Sequence, residues 1–328
     1  SSTTGPLPRG PGEDDQQGSR TLRIQVIVWM QSAVTMPSIV ESDPPGEQRA
    51  VRPQYTRRQG NVTPRPRPWT ATGWKRARRL GYTGRMDPGA VYFIADAHLG
   101  VRSREREAVR EERLHDFLRS LAGRAGRLVI AGDLFDFWFE YRAAIPRRHF
   151  ATLAILRGLR ESGVALTYLN GNHDFWLGRF LADEVGIETV GGPLALAAQG
   201  RRLWVHHGDG LVGGDLGYRM LRAVIRHPVS IALYGLLHPD LGIPLAHLVS
   251  RWSRQSRGES RLEPERLWRE IAMPRFAEGF DGVLVGHFHH AYERREPGRE
   301  FFLLGDWITR SSYAVLEDGA IRLEEWKG

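Results

Sequence analysis

Apolar residues are unevenly spread along this chain, and where they gather they follow two rhythms. From residue 90 onward five short runs stand out: VYFIA (91–95), RLVIAG (127–132), VALTYL (164–169), RLWVHH (202–207) and GVLVG (282–286). Each has the length of a buried strand and ends at glycine or polar residues. Between several of them the rhythm becomes helical. Over 104–121, Leu114, Phe117, Leu118 and Leu121 fall at i, i+3, i+4 and i+7 behind Ser103, a candidate N-cap. Strands alternating with helices predict an α/β domain with a substantial parallel sheet. Near the C-terminus the spacing shortens. FFLLG (301–305), SYAVLE (312–317) and AIRLEEW (320–326) lie close together, with Asp318-Gly319 between the last two, and predict antiparallel strands.

Two segments break this pattern. Residues 215–258 carry an apolar stripe (Met220, Leu221, Val224, Ile225), then VSIALYGLL (229–237) and IPLAHLVSRW (243–252). Arg219, Arg222, Arg226, Arg251, Arg254 and Arg257 are interleaved with them. One reading is a pair of packed core helices. The other is a helical cap whose apolar face receives acyl chains and whose arginines meet phosphates or anionic lipid head groups. Residues 1–88, rich in Pro, Gly, Arg, Ser and Thr, show no persistent period and are expected to form a disordered basic leader. That segment contains no histidine, whereas all 12 histidines fall between His98 and His290. We expect Met86 to be the start and 1–85 an upstream extension without function, the rival being a targeting arm.

Composition removes several function classes. The 328 residues suffice for a core of ordinary size. The absence of cysteine excludes disulfides, thiolate zinc sites and cysteine nucleophiles. No apolar run approaches the ~18 residues of a membrane-spanning helix. IQVIVWM (24–30) is apolar but short, and no convincing signal-peptide cleavage site follows it. The net charge of +8 is concentrated in residues 1–90, which carry +7, leaving +1 for the rest. The bases are 44 Arg with only Lys75 and Lys327, a compositional bias rather than a patch, and no nucleic-acid partner is expected.

The chemistry lies at the ends of the five apolar runs. Asp96 and His98 follow the first, Asp133 and Asp136 the second, and Asn172, His173 and Asp174 the third. His206, His207 and Asp209 close the fourth, and His287, His289 and His290 follow the fifth. A single Asp or His at a strand end is more often a turn or cap residue than a ligand. Five such ends are hard to obtain from turn chemistry alone, and ligands of α/β sheets bind beyond the carboxyl ends of strands. Carboxylates, imidazoles and an amide without thiolate suit Mn2+, Fe2+ or Zn2+. The donors are too many for one ion, and an aspartate can bridge two. Two ions about 3.5–4 Å apart form a clamp for in-line displacement at phosphorus.

The series D-x-H, G-D, G-N-H-D, H-G-D and G-H-x-H, in this order over residues 90–310, resembles the calcineurin-like metallophosphoesterase superfamily. The resemblance implies an α/β sandwich of two mixed sheets flanked by helices, formed by 89–328, with the helical cap inserted at 215–260. It implies that Asp96, His98 and His289 bind one ion, that Asp133 bridges, and that Asn172, His207 and His287 bind the other. It implies that His173 contacts the phosphate or protonates the leaving oxygen and that Asp174 orients it. His206 and His290, whose strand neighbours are ligands, are expected to point to the opposite face.

Within the superfamily, DAHLG, GDLFDFWFEY, GNHDFW, HHGDG with a later Asp, HPDLG and LGDW resemble the UDP-2,3-diacylglucosamine pyrophosphohydrolases of lipid A biosynthesis. That resemblance implies attack of water-derived hydroxide on the α-phosphorus, giving UMP and 2,3-diacylglucosamine 1-phosphate with two Mn2+ ions. It also implies a lipid-linked UDP-sugar as substrate and peripheral contact with the anionic cytoplasmic face of the inner membrane. Asp215 matches an aspartate that contacts the glucosamine unit, and Tyr218 is placed beside it, with Asn172 and His173 also meeting substrate. Phe137, Trp138 and Phe139 are core aromatics by default and pocket walls by the family reading. One position departs: better-known members have Arg where this chain has His173. A histidine donates a proton, whereas an arginine only stabilises charge. A soluble nucleotide phosphodiesterase or phosphoprotein phosphatase is therefore the alternative, and the cap discriminates between the two.

Overall fold

The computed structural model describes residues 89–328 apart from 102, 213–222 and 257–262. The expected leader, the Met86 boundary, Asp215 and Tyr218 lie outside the described residues. The five apolar runs are strands: β1 (Ala90–Ile94), β2 (Ala125–Ile130), β3 (Ala165–Leu169), β6 (Arg201–His206) and β7 (Gly282–Val285). Helix α1 (Arg104–Ser120) lies between β1 and β2, and α2 (Phe150–Glu161) between β2 and β3. Short strands β4 (Glu188–Val190) and β5 (Leu194–Ala198) precede β6. After β6 come helices α3 (Pro228–Tyr234) and α4 (Pro239–Ser256), then a helical stretch over 264–277. The chain closes with β8 (Ala291–Glu296), β9 (Arg299–Leu304), β10 (Ser312–Glu317) and β11 (Ala320–Glu325).

These strands form two mixed sheets. The first runs β11-β10-β1-β2-β3-β4 and the second β5-β6-β7-β9-β8. In the first, β1 to β4 are parallel and β10 joins β1 antiparallel. In the second, β6, β7 and β9 are parallel, with antiparallel β5 and β8 at the edges.

Alternation along each strand assigns its side chains to two cores. Val91, Phe93 and Val129 face Leu203, Val205, Leu284 and Phe302 of the other sheet, filling the space between the sheets. Tyr92, Ile94, Leu128 and Ile130 point the other way, onto Leu114, Phe117, Leu118 and Leu121 of α1 and Leu153 and Leu156 of α2. Trp204, Val283, Phe301 and Leu303 face Leu267, Trp268 and Ile271 of the 264–277 stretch. Each such fully buried large side chain contributes roughly 1.5–3 kcal/mol. The described residues thus form a sheet-on-sheet sandwich with helices outside both sheets. All five strand ends carrying polar clusters open at one edge of it.

Two local expectations are revised. Ser103 occupies the N-cap position of α1, but its side chain makes no capping bond there. FFLLG belongs to β9, in a different sheet from β10 and β11, and its antiparallel partner is β8. The sequence of β8, AYERRE, is too polar to stand out, because it is an edge strand. The Asp318-Gly319 turn joins β10 to β11 as predicted, with φ of 50° and 77°, the type I′ pattern.

Candidate metal centre and its surroundings

The loops leaving β1 and β2 continue the ladder beyond the strands. Asp96 N donates to Gly132 O at 3.2 Å and His98 N to Asp133 O at 2.9 Å, so the Asp-Ala-His and Gly-Asp segments run side by side. Here the backbone turns sharply. Asp96, His98, Asp133, His287 and His289 all adopt positive φ, between 44° and 72°, and they make up five of the eight non-glycine residues that do so among the described residues. A left-handed backbone costs a residue with a Cβ on the order of 1–2 kcal/mol. That strain gathers at the candidate ligands because it folds their side chains back into a common space.

Close approach, rather than φ, explains Gly171. A Cβ there would meet Asp133 Oδ1 at 2.0 Å and Asp133 N at 2.4 Å. Gly132 shares the constraint, since its Cβ would lie 2.8 Å from the Cα of Gly171 and 2.6 Å from His207 Nδ1. The loops after β2 and β3 pack backbone to backbone and bring Asn172 and Asp133 to one place.

Two donor groups result. Asp96, His98 and His289 offer atoms within 4.8 Å of one another, as do Asp133, His207 and His287. Asp133 Oδ2 lies between the two, 3.5 Å from His98 Nε2 and 3.3 Å from His207 Nε2. Asn172 Oδ1 is 3.1 Å from His207 Nε2, and His287 Nδ1 is 3.3 Å from the same atom. All seven expected ligands therefore converge. His206 instead accepts from Gly208 N at 2.8 Å and stacks on Trp204, while His290 is exposed.

The chemistry of these donors fits divalent cations. Asp96 Oδ1 and both ring nitrogens of His98 are buried without a hydrogen-bond partner. Buried polar atoms normally have one, so three together in a single pocket call for an ion. His207 Nδ1 faces the carbonyl of Ala131 at 3.0 Å, which can only accept, so Nδ1 carries the proton. A neutral ring would present a lone pair at Nε2 to Asn172 Oδ1 and Asp133 Oδ2, acceptors facing acceptors, so without a cation the site calls for a second proton there. Burial alone would push both buried rings down. Asp136 and Asp96 at His98, and Asp133 at His207, push them up to about 10 instead. Burial likewise opposes charge on Asp133, but the histidines around it, His207 foremost, hold its carboxyl well below the usual range. A field that keeps a proton on two buried imidazoles is one that bound cations relieve.

Outer contacts orient the candidate ligands. His289 Nδ1 lies 3.3 Å from Asp306 Oδ2, which turns Nε2 toward Asp96, 3.6 Å away. Burial would raise the Asp306 carboxyl, but hydrogen bonds from His289 and Thr309 lower it to about 2. Beneath the His98 loop, buried Glu107 pairs with Arg110 and Arg148 and accepts from Gly100 N at 3.0 Å. Arg110 in turn donates to the carbonyls of Ala97 and His98. Sequence reading missed both devices. Asp306 sits in the quoted LGDW without any sign of its partner, and Glu107 and Arg110 read as an ordinary polar helix face.

The expected partnership of Asp174 with His173 is corrected. Asp174 accepts from Gly171 N at 2.9 Å, Asp133 N at 3.1 Å, Phe135 N at 3.2 Å and the Tyr168 hydroxyl. It ties the two ligand-bearing turns together and has no hydrogen bond with the ring of its neighbour. Burial and the charge on Asp133 push its carboxyl up to about 6 despite the Tyr168 bond. The group beside His173 is Asp136, whose carbonyl lies 3.2 Å and carboxylate 3.6 Å from Nδ1. His98, Asp136 and His173 form a third cluster, contiguous with the first.

Helices α3 and α4 lie over the segment that carries Asp136. Tyr234 of α3 packs on Phe137, Phe139 and Trp176, with ring centroids 6.0, 4.8 and 4.7 Å apart. Phe137 and Phe139 are thus the seat of these helices, whereas Trp138 belongs to the core beneath α2. Arg226 reaches back to the carbonyl of Gly171 and to Asp209.

No protein-family profile matches the chain. Curated relatives do. The chain is 30% identical over 257 residues to a UDP-2,3-diacylglucosamine hydrolase of Porphyromonas gingivalis, covering 71% of this chain and 96% of the relative. It is 31% identical over 242 residues to a protein of the same name from Ectopseudomonas mendocina, covering 70% and 94%. Among solved structures, a phosphoesterase from E. coli is 15% identical and covers 73% of this chain and 100% of its own, with a TM-score of 0.35. At that score the overlap decides nothing about this chain.

Proposed function

The chain belongs to the UDP-2,3-diacylglucosamine hydrolase family, and from that membership we propose that it cleaves the pyrophosphate of UDP-2,3-diacylglucosamine to UMP and 2,3-diacylglucosamine 1-phosphate. The observation that carries the reading is the convergence of five strand ends on one pocket, with Asp133 Oδ2 central to it. Asp96, His98 and His289 would hold one divalent ion and Asn172, His207 and His287 a second, with Asp133 shared. When bound, two such ions, taken as Mn2+, supply charge neutralisation at the phosphoryl oxygens and lower the pKa of water. With Nδ1 of His173 donating to the Asp136 carbonyl, a second proton, on Nε2, is the one the ring would present to the phosphate or to the departing lipid 1-phosphate oxygen. Asp215 and Tyr218 are assigned to the sugar by resemblance alone.

The cap supports a lipid substrate and a peripheral position on the anionic cytoplasmic face of the inner membrane. Val229, Leu233, Leu236, Leu241, Leu245 and Leu248 of the α3–α4 segment are 45% to 82% exposed. A sealed pair of core helices would bury them, and an exposed apolar face of this extent marks a binding surface. Among the described residues no helix is long and apolar enough to cross a membrane.

His173 in place of Arg keeps a phosphodiesterase of other specificity as the second reading. The deciding experiment measures UMP release from UDP-2,3-diacylglucosamine with Mn2+, beside bis(p-nitrophenyl) phosphate. The proposal expects kcat/KM for the lipid nucleotide to exceed that for the aryl diester by orders of magnitude. Equal or lower values would overturn it.

A further inference from the structure

Helix α4 brings two polar side chains down onto the cluster around Asp136. Ser250 Oγ lies 3.0 Å from His173 Nδ1, closer than the Asp136 carbonyl at 3.2 Å. His247 Nδ1 lies 3.4 Å from Asp136 Oδ2, with its ring edge-on to Phe137 at 6.0 Å. Three residues apart, they share one face of the helix, while Leu241, Leu245 and Leu248 occupy another, exposed one. The Asp136 carboxylate is therefore approached on Oδ1 by His98 and His173 and on Oδ2 by the cap.

We propose that Ser250, with His247 beside it, is a positioning residue through which the cap helix sets the ring of His173, so that turnover depends on the cap being seated. This rests on the reading above that His173 acts at the reacting phosphate. A carbonyl oxygen can only accept, so the contact with Asp136 O puts the proton on His173 Nδ1. The Ser250 hydroxyl oxygen then accepts from the same N–H. Two acceptors on Nδ1, one from the core and one from the cap, hold a proton on that nitrogen and fix the plane of the ring. Nε2 is thereby aimed away from the cap helix. Removing Ser250 leaves the carbonyl in place but releases the ring on the cap side. His247 holds the other end of the same lever by meeting the carboxylate that faces His173. These contacts give the polar residues at 247 and 250 a physical reason.

The test compares Ser250→Ala and Ser250→Thr with the parent protein on UDP-2,3-diacylglucosamine and on bis(p-nitrophenyl) phosphate, with metal content measured in each. Loss of one hydrogen bond at the ring is expected to lower kcat about tenfold on both substrates in Ser250→Ala. KM and metal content should stay near the parent values, and Ser250→Thr should recover most of the rate. A rise in KM confined to the lipid nucleotide, with the aryl diester unaffected, would make Ser250 a substrate contact and overturn the proposal. Unchanged kcat on both substrates would overturn it too. If the parent protein hydrolyses only the aryl diester, the lipid reading fails, and the Ser250 comparison still stands on that substrate. If it hydrolyses neither, the 15N-imidazole spectrum of the Mg2+-loaded protein decides. A His173 Nδ1–H signal should shift in Ser250→Ala and return in Ser250→Thr, and an unmoved signal refutes the contact.

Discussion

Gly171→Ala gives the sharpest test of how the centre is built. The added methyl would sit 2.0 Å from Asp133 Oδ1, 2.4 Å from Asp133 N and 2.8 Å from Asp133 Cγ. Ordinary van der Waals contact for that carbon begins near 3.4 Å, so Asp133 or the turn must move by more than an ångström. Neither is free to yield. Asp133 Oδ1 accepts from His173 N at 2.8 Å, and Asp133 N donates to Asp174 at 3.1 Å. Asp174 also holds Gly171 N, so both sides of the clash are anchored to one carboxylate. Overpacking of this kind costs about 1–3 kcal/mol of stability. A misplacement of about 1 Å at reacting groups costs on the order of 100-fold in rate. The assay is kcat/KM on the lipid nucleotide, with metal content by atomic emission and thermal unfolding by circular dichroism. The expected result is a folded protein with a modestly lowered Tm, at least about a 100-fold loss of activity and less than the full metal content. Gly158→Ala is the control. It lies inside α2 with nothing within 4 Å of the added methyl, so Tm should rise by the equivalent of about 0.5–1 kcal/mol with activity unchanged. If Gly171→Ala keeps parental activity and metal, the close approach is not what places Asp133, and the reasoning fails.

Three further outcomes follow from the contacts described. Asp133→Ala should abolish turnover because it removes the donor that the proposed centre would share between two ions, and substantial residual activity would refute a two-metal centre. His173→Ala should lower kcat by about 100-fold or more while leaving two ions per chain, whereas loss of metal would make His173 a ligand. Asp306→Asn should weaken metal binding about 10–100-fold, read by competition with a chelator, because His289 loses the carboxylate that turns Nε2 toward Asp96; an unaltered affinity would assign Asp306 to the Thr309 turn alone.

Much of this architecture is legible along the chain because strand length, helical spacing and the residue types at strand ends are local properties. The alternation of β1 divides Val91 and Phe93 from Tyr92 and Ile94, and the fold places them in different cores for that reason. The seven candidate ligands are recognisable by type and by their order after apolar runs. What escapes is whatever depends on two segments meeting. Strand β8 is polar because it lies at an edge, and nothing in AYERRE shows that β9 will pair with it. The left-handed backbone at Asp96, His98, Asp133, His287 and His289 falls on non-glycine residues, so no glycine marks it in the sequence.

Which carboxylate serves which imidazole is of the same kind. Asp174 adjoins His173 in sequence, so proximity along the chain pairs them. In the fold, the turn sends Asp174 into the backbone of the Asp133 loop, and Asp136, 37 residues away, stands against the ring. Ser250 comes from 77 residues away, on a helix whose sequence offers core packing or an acyl-receiving cap but no partner for His173. The chain alone specified the donor types, their order and the strands that carry them, because each is written in neighbouring residues. The tertiary structure decided the partnerships, because a hydrogen bond of about 3 Å depends on sheet register, loop dihedrals and helix seating acting together.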